Sequence, residues 1–116
     1  MKYLIVDDHA PTRRTLRDLL ATADDDVREA SDGSQAALTY EEQRPDWVIM
    51  DIQMQPVGGL VATRAITARH PGARIVIFTQ HDDPDLRSSA REAGARSYVL
   101  KDNLLELHAL IRTTPI

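Results

Sequence analysis

The sequence predicts an α/β fold: a doubly wound (βα)5 sandwich in which helices cover both faces of a five-stranded parallel sheet. Two observations predict it. Short apolar runs bounded by polar or turn residues alternate five times with longer segments of helical period. Such alternation requires right-handed crossovers between parallel strands, and these place helices on both faces of the sheet.

The five predicted strands are apolar runs of about four residues, of the kind that a sheet buries on both faces. The second run is weak, whereas the third and fourth are apolar throughout. In chain order the predicted strands cover residues 3–6, 27–30, 47–50, 75–78 and 97–100.

Helix start and stop signals lie between these runs. The first helix is predicted to begin at Pro11, because proline is favoured at the first helical position. The second follows Gly33, the third follows Gly59, and the fourth begins near Pro84 and stops at Gly94. A short fifth helix places its apolar residues at helical spacing, at positions 104, 107, 110 and 111.

Composition excludes several classes of protein. The 116 residues fit one domain, predicted over residues 1–116, and they include no cysteine, which rules out disulfides and cysteine-ligated zinc. A net charge of −4 argues against direct nucleic-acid binding. The apolar runs are too short to span a membrane or to form a signal peptide, so we expect a cytoplasmic protein.

Four of the five predicted strands are followed by polar side chains that suit a common site. The first strand is followed by Asp7 and Asp8, the third by Asp51, the fourth by Thr79 and the fifth by Lys101. Ligands of doubly wound sheets bind at the carboxyl ends of the strands, so these side chains should share one site. Three carboxylates there repel one another unless a cation lies between them, and oxygen ligands of this kind favour Mg²⁺.

The same residues suit phosphoryl transfer. A transferring phosphoryl group spreads negative charge over its oxygens, which the ammonium of Lys101 and the hydroxyl of Thr79 can stabilise. A carboxylate can act as the nucleophile and form an acyl phosphate. Because Asp51 follows the most central strand, it is the favoured acceptor.

These segments resemble the receiver domains of two-component response regulators, whose fold is flavodoxin-like. The resemblance covers essentially the whole chain and is carried by residues 4–9, 48–54 with 59–60, 75–79 and 93–102. The run around Tyr98, Lys101 and Asp102 looks most like the subfamily that is usually fused to a helix-turn-helix output domain.

The resemblance implies a role for each matching residue. Asp51 would accept the phosphoryl group from a phosphohistidine, and Lys101 would bind a phosphoryl oxygen. Asp8 would bind Mg²⁺ directly and Asp7 through water, with the backbone carbonyl of Gln53 as a further ligand.

A conformational switch is also implied. Thr79 would move toward the phosphate, and Tyr98 would turn inward with it. The alternative interpretation of Tyr98 is an ordinary half-buried strand residue. Phosphorylation adds about −1.5 to −2 charge and three acceptor oxygens, which is what would draw the hydroxyl.

The sequence departs from the family pattern at three places. Gln55 stands where the family usually has proline, with Pro56 next; Gln80 replaces a small residue; and Asp102 stands where many members have proline. None of these changes removes a reactive group.

Two further features leave alternatives open. His81 could orient water at the site, although a solvated loop histidine is the favoured interpretation. Arg13, Arg14 and Arg17 could help to dock an acidic kinase face, although a solvated helix surface is favoured.

The implied partners are a sensor histidine kinase or a phosphotransfer protein, with a homodimer as a further possibility. The alternative function is a pseudo-receiver that binds partners without phosphate. Two other classes are disfavoured. A phosphohydrolase would need an acidic residue in place of Gln53, and a flavin carrier would need a phosphate-binding loop after the first strand. The ending at residues 113–116 resembles the start of a linker to an output domain.

Overall fold

A computed structural model describes residues 1–114 and shows the predicted alternation of strands and helices. The strands are β1 Lys2–Val6, β2 Asp26–Ala30, β3 Trp47–Met50, β4 Ile75–Thr79 and β5 Ser97–Leu100. The helices are α1 Ala10–Leu20, α2 Gly33–Gln43, α3 Gly59–Arg69, α4 Pro84–Ala93 and α5 Leu104–Thr113.

All strand pairs are parallel, and the strand order is β2-β1-β3-β4-β5. The doubly wound fold is therefore confirmed. The chain moves from β1 outward to β2 and then returns to the other side of β1 with β3. This reversal leaves a crevice beyond the carboxyl ends of β1 and β3, where ligands of such sheets bind.

Alternate residues of the central strands supply two apolar cores, one on each face of the sheet. In β1, Leu4 and Val6 belong to one core, and Tyr3 and Ile5 belong to the other. β3 and β4 are buried at every position, as expected for strands covered by helices on both faces. β2 is an exposed edge strand, which explains the weakness of its apolar run.

Helix ends follow the predicted signals to within one residue, and α2 and α3 begin at Gly33 and Gly59 rather than after them. α1 begins at Ala10 rather than at Pro11, because the side chain of His9 caps the helix by accepting from the backbone N–H of Thr12. α2 and α4 have aspartate caps, Asp32 and Asp83. Of the predicted linker start, residues 115 and 116 lie outside the described part of the chain, whereas Thr113 ends α5.

Among residues 1–114, the helices lack the length and apolar character needed to cross a bilayer.

Gly59 fixes where α3 meets β3. A Cβ atom at this position would stand 1.8 Å from the carbonyl oxygen of Asp51 and 2.8 Å from its carbonyl carbon. The first residue of α3 therefore packs directly on the backbone that carries Asp51, and the N–H of Gly59 donates to the carbonyl of Ile52 at 2.9 Å. Only a residue without a side chain allows this approach.

We expect Gly59→Ala to lower the free energy of unfolding by about 3 kcal/mol, the upper end of the usual cost of overpacking, because the clash is with backbone. Urea denaturation measures it. The control is Gly72→Ala, since a Cβ there meets nothing within 4 Å. Equal stability of the two variants would contradict the close packing of α3 on Asp51.

Candidate functional site

The two central strands place two acidic residues side by side at the crevice. The backbone N–H of Asp7 donates to the carbonyl of Ala30 at 3.1 Å, and that of Asp51 donates to the carbonyl of Val6 at 2.9 Å. Both residues therefore extend the hydrogen-bond ladder of the sheet by one position. Their side chains are buried, Asp7 at 1% and Asp51 at 6% exposure, whereas Asp8 is exposed.

Lys101 reaches both buried carboxylates from the end of β5. Its Nζ lies 2.8 Å from Oδ2 of Asp7 and 3.4 Å from Oδ2 of Asp51. The backbone N–H of Lys101 donates to the carbonyl of Thr79 at 2.8 Å, which ties the end of β5 to the end of β4. The predicted convergence of acidic residues and lysine at one edge of the sheet is therefore present.

Each buried carboxylate also accepts a backbone N–H. Oδ1 of Asp51 accepts from Ile52 at 2.9 Å, and Oδ1 of Asp7 accepts from His9 at 2.9 Å. With Lys101 on the Oδ2 atoms, both oxygens of each group have a partner. The side chains are held in one orientation before any ligand arrives.

The pKa values of Asp51 and Lys101 are both raised, but for different reasons. Burial raises the pKa of Asp51, the neighbouring Asp7 raises it further, and Lys101 offsets part of this. Burial alone would lower the pKa of Lys101, but the two carboxylates outweigh it, and the pKa is raised. Lys101 is therefore a firmly protonated cation between two acidic groups.

One ligand oxygen from each of Asp7, Asp8 and Asp51 lies within 4.8 Å of the others. Three carboxylates outnumber the single ammonium, and their hard oxygen atoms match the preference of Mg²⁺. The residues present therefore fit the predicted ion. The cavity beside them has a volume of about 410 Å³, and Asp8, Asp51, Gln53, His81 and Lys101 are among the residues that line it.

Thr79 is near this cavity but points into protein. It is fully buried, and its Oγ1 accepts from the backbone N–H of His81 at 3.3 Å. Tyr98 is half-buried, packs against one of the two cores, and donates its hydroxyl hydrogen to the carbonyl of His81 at 2.6 Å. Both predicted switch residues thus bond to the backbone of one residue.

His81 lies in a loop, as the favoured interpretation expects, but it is half-buried rather than fully solvated. Its side chain lines the cavity, and its Nε2 atom is buried without a hydrogen-bond partner among residues 1–114. Both backbone polar groups of His81 are also bonded to protein, the N–H to Thr79 and the carbonyl to Tyr98.

The basic stretch on α1 is divided in its role. Arg14 is exposed, as favoured from the sequence. Arg17 is exposed as well, but it and half-buried Arg13 each form an ion pair with Glu29 of β2 at 2.8 Å. Nη1 of Arg13 also donates to the carbonyl of Asp7 at 2.6 Å.

Arg13 was missed as a support of the site. Its pairing with Glu29 can be inferred only when β2 is known to lie beside β1. In that arrangement Glu29 is in register with Ile5 and so lies near the end of β1.

Comparison with known proteins agrees with this geometry. Residues 3–112 match the family model of the response regulator receiver domain. The chain is 36% identical over its whole length to the uncharacterized transcriptional regulatory protein YhcZ of Bacillus subtilis (strain 168), of which it covers 54%. It is 37% identical, over 88% of its length, to the oxygen regulatory protein NreC of Staphylococcus haemolyticus, of which it covers 48%.

Solved structures are similar throughout. A LuxR-family two-component response regulator from Aurantimonas sp. SI85-9A1 has a TM-score of 0.88 at 38% identity, with 96% of this chain and 81% of that chain covered. The response regulator domain of Thermotoga maritima CheB has a TM-score of 0.85 at 25% identity, with 97% and 93% covered. The chain spans about half the length of the curated relatives it matches.

The raised pKa of Asp51 predicts a pH-dependent cost to stability. A raised carboxyl pKa means that the fold is more stable with Asp51 protonated than with Asp51 ionised. This stabilisation is fully present below the unfolded pKa of 3.8 and is lost as the pH rises through the folded pKa. We expect Asp51→Asn to increase the free energy of unfolding at pH 7, because it removes a charge that is buried beside Asp7.

Urea denaturation of the two proteins at several pH values measures this gain, which should disappear at pH values below 3.8. Glu42→Gln is the control, since Glu42 is exposed and the same change of carboxylate to amide should be nearly neutral. If Asp51→Asn were less stable than the wild type at pH 7, the claim that the ionised carboxylate of Asp51 destabilises the fold would be contradicted.

Proposed function

The chain belongs to the response regulator receiver domains, and on that premise we propose that it accepts a phosphoryl group on Asp51 from a phosphohistidine, with Mg²⁺ as cofactor. The observation that carries the proposal is the arrangement of Asp51 beside Asp7 with Lys101 in contact with both. The alternative, a pseudo-receiver that binds partners without phosphate, has no observation of its own in its favour.

In the proposed reaction an oxygen of the Asp51 carboxylate attacks the phosphorus atom. A phosphorus–oxygen bond forms, and the bond between phosphorus and the donor imidazole nitrogen breaks with its electron pair leaving on the donor. The carboxylate must be ionised to attack, and Lys101 favours that state. Its hydrogen bond to Asp51 is the longer of its two, so Nζ can shift onto a phosphoryl oxygen.

Asp7, Asp8 and Asp51 would hold Mg²⁺, with the backbone carbonyl of Gln53 as a further ligand. The ion would neutralise negative charge on the carboxylates and on the phosphoryl oxygens. Exposed Asp8 is the member of the set that solvent reaches most easily, whereas Asp7 is fixed by Lys101 and by the N–H of His9.

Thr79 would then turn toward the new phosphoryl oxygens. In doing so its hydroxyl would release the N–H of His81, so the β4–α4 loop would lose a contact that now defines it. Tyr98 is bonded to the carbonyl of the same residue, so this loop residue links the two proposed switch side chains. His81 lines the cavity from the same loop and could orient the water that hydrolyses the acyl phosphate.

The signalling context is likewise proposed. The partner would be a sensor histidine kinase or a phosphotransfer protein. Because the similar proteins are transcriptional regulators about twice as long, we infer that phosphorylation here controls a separate DNA-binding output domain, with a homodimer as one means of doing so.

Mg²⁺ should stabilise the fold because it binds folded carboxylates that the unfolded chain does not gather. At 100 times its dissociation constant the gain is about 2.7 kcal/mol. We expect Asp8→Asn to need a much higher Mg²⁺ concentration for the same shift in unfolding temperature. Asp18→Asn, an exposed change on α1, should respond like the wild type. Identical titrations for all three proteins would place the ion elsewhere.

Intact mass spectrometry tests the acceptor. Wild type incubated with phosphoramidate and Mg²⁺ should gain the mass of one phosphoryl group, whereas Asp51→Asn should gain none because an amide is a poor nucleophile. Asp18→Asn again serves as the control that should react. No mass gain in the wild type would favour the pseudo-receiver alternative.

Size-exclusion chromatography with a beryllofluoride mimic, run on the same proteins, then shows whether modification at Asp51 changes the assembly state. A shift in wild type that Asp51→Asn lacks would support the homodimer.

A further inference from the structure

The guanidinium of Arg87 lies over the ring of Tyr98. The Cζ atom of Arg87 is 4.5 Å from the ring centroid, which is within the range of a cation–π contact. Arg87 is itself held in place, because its Nη2 and Nε atoms each lie 3.1 Å from Oδ1 of Asp82. Asp82 thus anchors the cation that covers the tyrosine.

Tyr98 is held at three points. Its hydroxyl donates to the carbonyl of His81 at 2.6 Å, its ring packs against a buried core, and Arg87 stacks on the ring. Two of these contacts, the core and Arg87, involve no residue of the carboxylate site. Arg87 also does not line the cavity that contains Asp51 and Lys101.

The two bonds to His81 differ in length. The N–H of His81 is 3.3 Å from Oγ1 of Thr79, whereas its carbonyl is 2.6 Å from the hydroxyl of Tyr98. The first is longer than is usual for an N–H···O bond, whereas the second has an ordinary length for an O–H···O bond, so the first is the weaker one. Loss of the Thr79 contact is therefore easier than loss of the Tyr98 contact, and the stacked Arg87 widens this difference.

We propose that Arg87 is a positioning residue that keeps Tyr98 turned inward, with its hydroxyl on the His81 carbonyl, independently of the chemical state of Asp51. The proposal rests on the proposed function in one respect, since it regulates the switch that Tyr98 would form. If Arg87 has this role, Tyr98 is already inward before Asp51 is modified. Modification of Asp51 then alters the position of Thr79 and of the β4–α4 loop more than that of Tyr98.

The size of the effect follows from the contact. A cation–π contact at a partly exposed site favours the stacked state about two- to fivefold. Arg87 has 40% of its side chain exposed, so this range applies here. We therefore expect Arg87→Ala to lower the ratio of inward to outward Tyr98 about two- to fivefold.

The χ1 angle of Tyr98 is the decisive observable, because loss of the arginine would uncover the ring even if the ring did not move. Three-bond couplings to Cγ in protein with labelled tyrosine report χ1 populations, and relaxation dispersion detects an outward state too rare to shift the couplings. Tyr3 and Tyr40, exposed by 0% and 7%, are internal references for an intact core.

Arg91→Ala is the matched control. Arg91 lies one turn further along α4 and lines the same surface cavity as Arg87, but the cation–π contact to Tyr98 comes from Arg87. We expect wild-type populations in Arg91→Ala and intermediate ones in Arg87→Lys, which keeps the charge without the planar group.

An unchanged χ1 population in Arg87→Ala would overturn the proposal, and so would an equal shift in Arg91→Ala. If altered Tyr3 and Tyr40 couplings show that Arg87→Ala has lost its core, Arg87→Lys decides alone. The same measurements in the Asp51→Asn background separate the two proposals: the Arg87 effect should persist there, whatever the outcome of the phosphoramidate experiment.

Discussion

Burial of the Asp51 carboxylate beside that of Asp7 is the constraint on which the rest of the site depends. Two buried acidic groups with one exposed neighbour, all within 4.8 Å, repel one another unless protons or cations intervene. Protonation would stabilise the fold but would leave Asp51 unable to act as a nucleophile. Lys101 offsets part of the repulsion and leaves a net negative charge of two at the site when all three carboxylates are ionised. That remaining charge matches a divalent cation, so the electrostatic cost to folding and the proposed affinity for Mg²⁺ have the same origin.

Rigid backbone holds this costly arrangement together. Asp7 and Asp51 continue the hydrogen bonds of neighbouring central strands, and Gly59 lets α3 pack against the carbonyl of Asp51. The carboxylates cannot separate to relieve their repulsion without breaking the sheet. Thr79 is placed differently, because it ends β4 and, among residues 1–114, the one hydrogen bond of its hydroxyl is to a loop N–H at 3.3 Å. The site therefore combines a fixed acidic centre with one polar side chain that can be moved at small cost.

Much of this was predictable from the sequence, because the relevant signals are local. Apolar runs gave the strands to within one residue, and the polar residues after them gave the acidic site with its lysine. Contacts that depend on strand order or on loop conformation were not predictable. The pairing of Arg13 with Glu29 requires β2 to lie beside β1, and the burial of Nε2 of His81 depends on the conformation of the β4–α4 loop. The start of α1 was missed by one residue, since a histidine cap is less common than the aspartate caps of α2 and α4.

The backbone of His81 gives the two switch residues a common partner without making them move together. If the bonds on either side of this residue were equally strong, release of Thr79 would be expected to displace Tyr98 as well. They are unequal, because the bond to Tyr98 is shorter and the ring is also covered by Arg87. A ligand can shift an equilibrium only by its differential affinity for the two states. A phosphoryl group that draws Thr79 away therefore acts first on the loop before α4, and it changes Tyr98 only as far as the core and Arg87 leave that ring free to move.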